Sequence, residues 1–304
     1  MLTSDDLAFF AVVATSASLA ASARKLNVTP PAVTQRLRGL EARLGVRLVE
    51  RSHRHLGLTD EGALVAAQAH VVATALDTLS DALGDRRNQV SGHLRVTAPH
   101  GFGRVHVAPV VAAFVRLHPA VTVTLDLSDH PGAQLVDSSD AIIHIGAAGS
   151  MSQIVTTLAP NRRLLVASPT YLARATPVAA PADLTHHRCL VVRENEEDVT
   201  LWRLKHGVLG TATMRIDPFM SSNDGTVVRG WALAGAGLAI RSEWDVADDL
   251  VAGRLIHVLT DWEAPPADVV AILGARHGRS ARTTAFLSVL RQSLAPVPWR
   301  LSVT

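Results

Sequence analysis

Residues 1 to 58 carry the feature that most constrains the fold: short helices in series, then a turn, a capped helix and a basic hairpin. Leu7, Phe10, Ala11 and Ala14 fall on one face of a first helix. Ser16 or Ser18 can cap a second helix over about Leu19 to Leu26, and Asn27 and Val28 form the turn after it. Thr29 then stands where an N-cap belongs, with Pro30 at the first helical position. The third helix runs to Leu44 with Val33, Leu37, Leu40 and Leu44 as its apolar face, and Gly45 ends it. Val46 to Leu58 reads as a two-stranded wing with a basic tip at Arg51, Ser52, His53, Arg54 and His55.

That order suits a module that enters the major groove of DNA. A recognition helix must show polar or basic side chains outward, where base edges are displayed. Thr34, Gln35 and Arg38 lie opposite Val33, Leu37 and Leu40. Gln pairs bidentately with adenine and Arg with guanine. Thr29, Pro30 and Pro31 open the same helix, and Arg36, Arg43, Arg51, His53 and Arg54 are expected to neutralise phosphates. Taken alone, this basic face is also what a solvated helix would show. The cap, the proline, the helix and the wing in sequence favour the DNA-reading alternative.

Thr59 opens a long helix over about Asp60 to Arg86, with acids at its start, arginines at its end and an apolar stripe through Leu64, Val65, Val71, Val72, Leu76, Leu79 and Leu83. At about 1.5 Å per residue it spans roughly 40 Å. A striped helix without a core of its own needs a partner, and a second copy of itself is the simplest one. A polar hinge follows at residues 88 to 92. Strand and helix patterns then alternate to the end, the signature of α/β layers with largely parallel strands.

Several spaced motifs resemble the LysR-type transcriptional regulators. They are Ser18 to Leu26, Thr29 to Leu37, Leu40-Glu41-Ala42-Arg43-Leu44-Gly45, and Leu58-Thr59-Asp60-Glu61-Gly62. Departures are small: Thr34 for the usual Ser, Val49 for Phe and Ser22 for Ala. The opening Gly92 to Pro99, the segment Arg163 to Leu172, and Ala234 to Ile240 resemble the effector domain of that family, which is similar to periplasmic binding proteins. The resemblance implies a winged helix-turn-helix at 1–58, a linker and dimerisation helix at 59–87, and an effector-binding domain at 92–304. Subdomain I of that domain would cover about 92–161 and 267–304, and subdomain II about 162–266. It also implies promoter DNA, a small organic or aromatic acid, a homodimer or homotetramer, and RNA polymerase as partners, in the cytoplasm.

In open α/β sheets ligands bind beyond the carboxyl ends of strands. Pro99, His100, Gly101 and Phe102 join a strand to a helix there; His144 and Gly146 end a second strand and Arg193 a third. Ser221 and Asn223 precede a helix near Gly225. His100 and Arg193 are expected to give the pocket charge, and Ser221 and Asn223 hydrogen bonds, with helix capping as the plain alternative for Ser221 and Ser222. The segment Gln134 to Asp140 lacks a glycine common in the family, and His144 stands where relatives often carry Arg.

Other classes fit less well. The chain has no Gly-x-Ser-x-Gly elbow, His-Glu-x-x-His pair or phosphate-loop lysine, so a hydrolytic enzyme is disfavoured. His186, His187 and Cys189 lack the paired spacing of a zinc site, and no metal or cofactor is expected. With a single cysteine, no basic leader and no apolar run of about 18 residues, a reducing cytoplasm and no membrane span are expected. A DNA binder without small-molecule control remains the second reading, and the salt dependence of its sequence preference separates the two.

Overall fold

A computed structural model describes residues 2–51, 56–85, 90–129, 139–147, 154–193, 199–273 and 280–303. The wing-tip residues His53 and Arg54 lie outside these, as does most of the 134–140 segment. The chain divides into two compact units, Met1–Asn88 and Gln89–Thr304.

In the first unit, α1 (Ser4–Ala14) begins at a reciprocal cap: Thr3 accepts from the Asp6 N–H while Asp6 accepts from the Thr3 N–H. Ser18, not Ser16, caps α2 (Leu19–Lys25) by accepting from the Ala21 N–H. Thr29 is the N-cap of α3 (Pro30–Leu44), but its side chain makes no capping bond; the proline is what pre-sets the first turn. Gly45 ends α3 at φ 71°, a left-handed position suited to glycine. The wing strands β1 (Val49–Arg51) and β2 (Leu56–Leu58) pair antiparallel, Val49 opposite Leu58. Phe10, Val13, Val33, Leu37, Leu40 and Leu48 close one small core, and Val65 and Ala66 of α4 (Asp60–Asp85) pack against it. Burial of these side chains at roughly 25 cal/mol per Å² of apolar surface is what orients α3 with its polar face outward.

The second unit holds two five-stranded sheets. The first has the order β4-β3-β5-β15-β6, from β3 (Gly92–Ala98), β4 (Val121–Leu127), β5 (Ala141–Ile145), β6 (Ile154–Ala159) and β15 (Val269–Leu273). The second has the order β11-β8-β12-β7-β13, from β7 (Arg163–Ala167), β8 (Cys189–Val192), β11 (Pro218–Ser222), β12 (Leu238–Ser242) and β13 (Ile256–His257). A hairpin of β9 (Leu201–His206) and β10 (Gly210–Arg215), joined by β14 (Trp262–Glu263), forms a third, smaller sheet.

The sheets are mixed, which corrects the expectation of largely parallel strands. β3 runs parallel to β4 and β5, and β8 parallel to β11 and β12. β15, however, is antiparallel to both β5 and β6, and β7 is antiparallel to β12 and β13. The reversed strands are those that carry the chain out of the first sheet and back into it. A chain that leaves one layer through β6 and returns through β15 enters each sheet from the opposite end.

The two large sheets bury their cores against helices. Leu94, Val96 and Ala98 of β3 meet Phe114 on α6 (Ala108–Leu117) and Phe286 on α10 (Ala281–Ser293), whose rings stand 5.5 Å apart edge to face. On β7, Leu165 and Ala167 enter one core while Leu164 and Val166 enter another on the opposite face, the period-two alternation of a strand buried on both sides. The helical run after β3 starts at α5 (His100–Phe102) and continues through a π-helical turn (Gly103–Val107) into α6. The remaining helices are α7 (Pro169–Leu172), α8 (Gly225–Leu233) and α9 (Glu243–Val251).

Candidate DNA-reading face and ligand cleft

On the first unit, Pro30, Pro31, Thr34, Gln35 and Arg38 border a shallow hollow of about 500 Å³ along the outer face of α3. Pro30, Pro31, Gln35 and Arg38 are exposed, and Thr34 is half-buried with its hydroxyl donating to the Pro30 carbonyl at 3.1 Å. Two of the cations expected at phosphates also contact α1. Arg36 donates to the Asp5 carbonyl at 3.0 Å and lies 4.6 Å over the Phe9 ring. Arg43 pairs with Asp6 at 2.7 Å, and the Thr3 hydroxyl together with Arg43 holds the Asp6 carboxyl below its ordinary range. These contacts brace α3 against α1. Glu41 accepts from the Leu48 N–H at 2.9 Å and so fixes where the wing leaves the helix. Arg51 is the last residue of β1.

On the second unit, a cleft of about 40 Å³ opens between the two large sheets. Pro99, Gly101, Asp129, His144 and Ile145 form its first wall. Gly225, Thr226, Arg241, Ser242 and Trp244 form the second. Of the residues expected from sequence, Pro99, Gly101 and His144 therefore reach it. Gly146, buried at the end of β5 with φ 107°, turns the chain just behind the wall. His100 sits at the rim, where its backbone N–H and Nδ1 both bond Asp129 at 3.0 Å.

Three expected residues lie elsewhere, and one is buried. The Phe102 ring is wholly inaccessible, packed edge to face against Trp244 and Trp299 at 5.4 and 6.1 Å. Because the helix starts at His100, position 102 falls on its core side rather than on the cleft side. Arg193, Ser221 and Asn223 are exposed and do not line the cleft. The helix that follows them is capped by Asp224, which accepts from the Thr226 N–H at 2.7 Å, while Ser222 accepts from the Asp224 N–H at 3.1 Å. Asn223 and Ser221 are thus passed over by the turn itself.

Sequence reading missed Asp129, Thr226, Arg241, Ser242 and Trp244. Arg241 is the most telling: only 6% exposed, it donates from Nε and Nη2 to Asp245 at 3.0 and 2.8 Å. Its guanidinium lies against the first turn of α8 at Gly225, where an added Cβ would collide with it. The Arg-Ser-Glu-Trp-Asp run from 241 to 245 was the available signal: a cation four residues before an acid at a strand-to-helix junction.

Beside the cleft, the two crossings between the sheets are tied together. Asn161 donates from Nδ2 to the Ala267 carbonyl at 2.7 Å and accepts from the Trp244 N–H at 3.2 Å. Glu243 bonds Arg162 at 2.7 Å and Arg300 at 2.8 Å. Burial pushes the Glu243 carboxyl up, but the two guanidiniums outweigh it and leave the group below its usual range. Cys189 is fully buried, and its thiol is pushed up to about 12 by burial, so it is an inert core side chain. No cluster of metal-ligating residues and no helix long and apolar enough to cross a membrane occurs among the described residues.

A groove-reading winged helix-turn-helix joined to a two-layered α/β unit with a cleft defines a ligand-responsive DNA-binding regulator. Residues 4–63 match the model of the bacterial regulatory helix-turn-helix protein, lysR family, and residues 87–295 match the LysR substrate binding domain. The chain belongs to the LysR family of transcriptional regulators. It is 33% identical over 291 residues to the HTH-type transcriptional regulator DmlR of Escherichia coli K12, covering 96% of this chain and 94% of that one. It is 33% identical to the transcriptional activator TtdR of Escherichia coli UTI89, covering 88% and 86%. In fold it resembles full-length AphB of Vibrio cholerae, with TM-score 0.65, 23% identity and 95% and 98% coverage. It also resembles CrgA of Neisseria meningitidis, with TM-score 0.60, 24% identity and 97% and 99% coverage.

Proposed function

We propose that the outer face of α3 reads operator DNA and that a small organic acid, bound in the cleft of the second unit, sets how the protein occupies its promoter. The observation that carries the first half is the grouping of Pro30, Pro31, Thr34, Gln35 and Arg38 on one exposed surface, opposite the buried Val33, Leu37 and Leu40. Gln35 and Arg38 supply the hydrogen bonds that distinguish bases, while Thr29 and the wing carrying Arg51, His53 and Arg54 follow the backbone. The second half stands on Arg241, a buried cation on the cleft wall beside the hydroxyls of Thr226 and Ser242. A carboxylate there gains charge-assisted bonds in a dry site.

The working assembly is a homodimer or homotetramer in the cytoplasm. Leu64, Val71 and Val72 stand exposed along α4, an apolar stripe that a second copy covers. Two recognition helices then meet two half-sites, and a ligand that prefers one arrangement of the subdomains shifts the spacing between pairs. Contact with RNA polymerase follows where the regulator activates.

The test is a footprint of the purified protein on DNA upstream of its own gene, with and without a panel of small organic acids. A protected, partly palindromic site whose boundary moves with one acid supports both halves. Protection that no acid alters removes the sensor half, and protection no stronger than on random DNA removes the whole reading.

A further inference from the structure

The two walls of the cleft touch at Gly101. A Cβ placed on this residue of the first wall would stand 2.9 Å from Cη2 of Trp244 on the second, and 3.7 Å from both its Cζ2 and the Thr226 hydroxyl oxygen. Carbon atoms pack best at roughly 3.5 to 4.0 Å, so a side chain at 101 would have to displace the indole. Residue 101 lies inside the helical turn of α5, and its φ is not among the positive ones. In a helix alanine is favoured over glycine, so the backbone does not call for glycine here. What the missing side chain provides is room for Trp244.

Trp244 is held from behind. Its ring meets the buried Phe102 edge to face at 5.4 Å and His106 at 5.8 Å. The π-helical turn that follows α5 carries His106 to this position. The Trp244 backbone N–H donates to Asn161 at 3.2 Å. The indole is therefore a fixed part of the wall, and its benzo edge is what meets Gly101.

From this contact we infer that Trp244, seated on Gly101, limits the size of the ligand, so that the cleft takes a short aliphatic carboxylic acid and rejects aromatic acids. This selection, which rests on the cleft being the effector site, narrows which acid is taken. At roughly 10 to 15 Å³ per water, a cleft of about 40 Å³ holds some three waters, the space of a chain of a few atoms. A benzoate ring enters only if the walls part at Gly101. Parting them pulls Trp244 off Phe102 and His106, which belong to the same helical run as Gly101. Bulk forced into a packed site drives side chains off their rotamers, whereas a short chain leaves the contact in place.

The experiment titrates the full-length protein with acetate, propionate, butyrate and benzoate by calorimetry. The parent, Trp244→Phe, Gly101→Ala and the double variant are compared, each checked for folding by circular dichroism. Trp244→Phe removes the benzo edge while keeping an aromatic ring against Phe102. The parent is expected to bind acetate or propionate about tenfold or more tightly than benzoate, and Trp244→Phe to narrow that preference by about tenfold. Gly101→Ala is expected to weaken binding of the short acid and to lower the thermal midpoint. The double variant is expected to recover both, because the added methyl then occupies the space of the lost ring edge; residues acting independently would show no such recovery. No acid binding at all, benzoate binding the parent as tightly as the short acids, an unchanged preference in Trp244→Phe, or no recovery in the double variant overturns the inference. Thr226→Trp, which fills the cleft, separates the two levels. If it abolishes the binding of acids while Trp244→Phe leaves the preference unchanged, the cleft is the effector site and the size argument fails. If it leaves all binding untouched, the cleft reading fails and the inference with it.

Discussion

Gly62 lies directly against the backbone carbonyl of Leu48, so close that a Cβ on residue 62 would overlap the oxygen. The approach is held by Thr59, whose N–H donates to the Leu48 carbonyl at 3.2 Å and whose hydroxyl donates to the Arg47 carbonyl at 2.7 Å. The same hydroxyl oxygen accepts from the Gly62 N–H at 3.0 Å. The first turn of α4 is thereby pinned to the chain entering the wing. Gly62→Ala is expected to destabilise the DNA-binding unit by roughly 1 to 3 kcal/mol, since backbone rather than a flexible side chain must move. Urea unfolding of the isolated transition checks this; a midpoint equal to that of the parent contradicts the close approach.

The outer face of α3 predicts a separation between affinity and specificity. Arg38→Ala is expected to weaken binding to the preferred operator by roughly 1 to 3 kcal/mol and to relax the choice of one base. Arg36→Ala acts differently. Its guanidinium bonds α1 through Asp5 and lies over Phe9, so its loss lowers the stability of the unit and reduces binding without altering which sequence is preferred. Quantitative footprints on operators with single base changes distinguish the two variants. An Arg36→Ala protein with altered base preference contradicts the division of roles.

Phe102 supplies the third prediction. Its ring is enclosed by His106, Trp244 and Trp299 in the core of the first large sheet. Phe102→Ala is expected to cost about 3 to 5 kcal/mol of stability, the range for truncating a buried aromatic. Phe102→Leu, which keeps most of the volume, is expected to leave ligand titrations close to those of the parent. A Leu variant that folds as the parent does but no longer binds ligand places the ring in the cleft after all.

What the sequence made legible follows from the range of the interactions. The DNA-binding unit is built from contacts a few residues apart: the Thr3 and Ser18 caps, the Pro30 start, the Gly45 stop and the Glu41 bond to Leu48. The Ser18 cap, the Pro30 start and the Gly45 stop leave marks that sequence reading found; it did not find the Thr3 cap or the Glu41 bond. The cleft is built from segments far apart in sequence, Pro99 to Asp129 and His144 on one side and Gly225 to Trp244 on the other, brought together only by the tertiary fold. Pro99, Gly101 and His144 were found because they lie at a strand end or in the first turn after one, a local property. Arg193, Ser221 and Asn223 also stand at or just beyond strand ends but are exposed outside the cleft lining, and no local pattern tells these two outcomes apart. The same limit explains the strand directions: alternation of strand and helix suggests parallel sheets, while the reversals in β7 and β15 come from a chain passing twice between layers.

Glu243 gives the last prediction, a dependence on pH. Its carboxylate stands between Arg162 and Arg300, and Asn161 next to it ties the two crossings, so this junction holds both layers of the unit. The folded carboxyl lies below its ordinary range, since the guanidiniums outweigh burial. A depressed carboxyl stabilises the fold above the unfolded value, about 4.3 for Glu, and that contribution disappears as pH falls through the lower folded value. Glu243→Gln is therefore expected to be less stable than the parent at pH 7, by about 1 to 3 kcal/mol for the loss of bonds to charged groups. The gap is expected to narrow steadily below about pH 4 and to close once the parent's carboxyl is itself protonated. Thermal unfolding of both proteins from pH 3 to pH 8 measures it. A gap that does not change across that range would mean that the charge of Glu243 does not hold the crossings together.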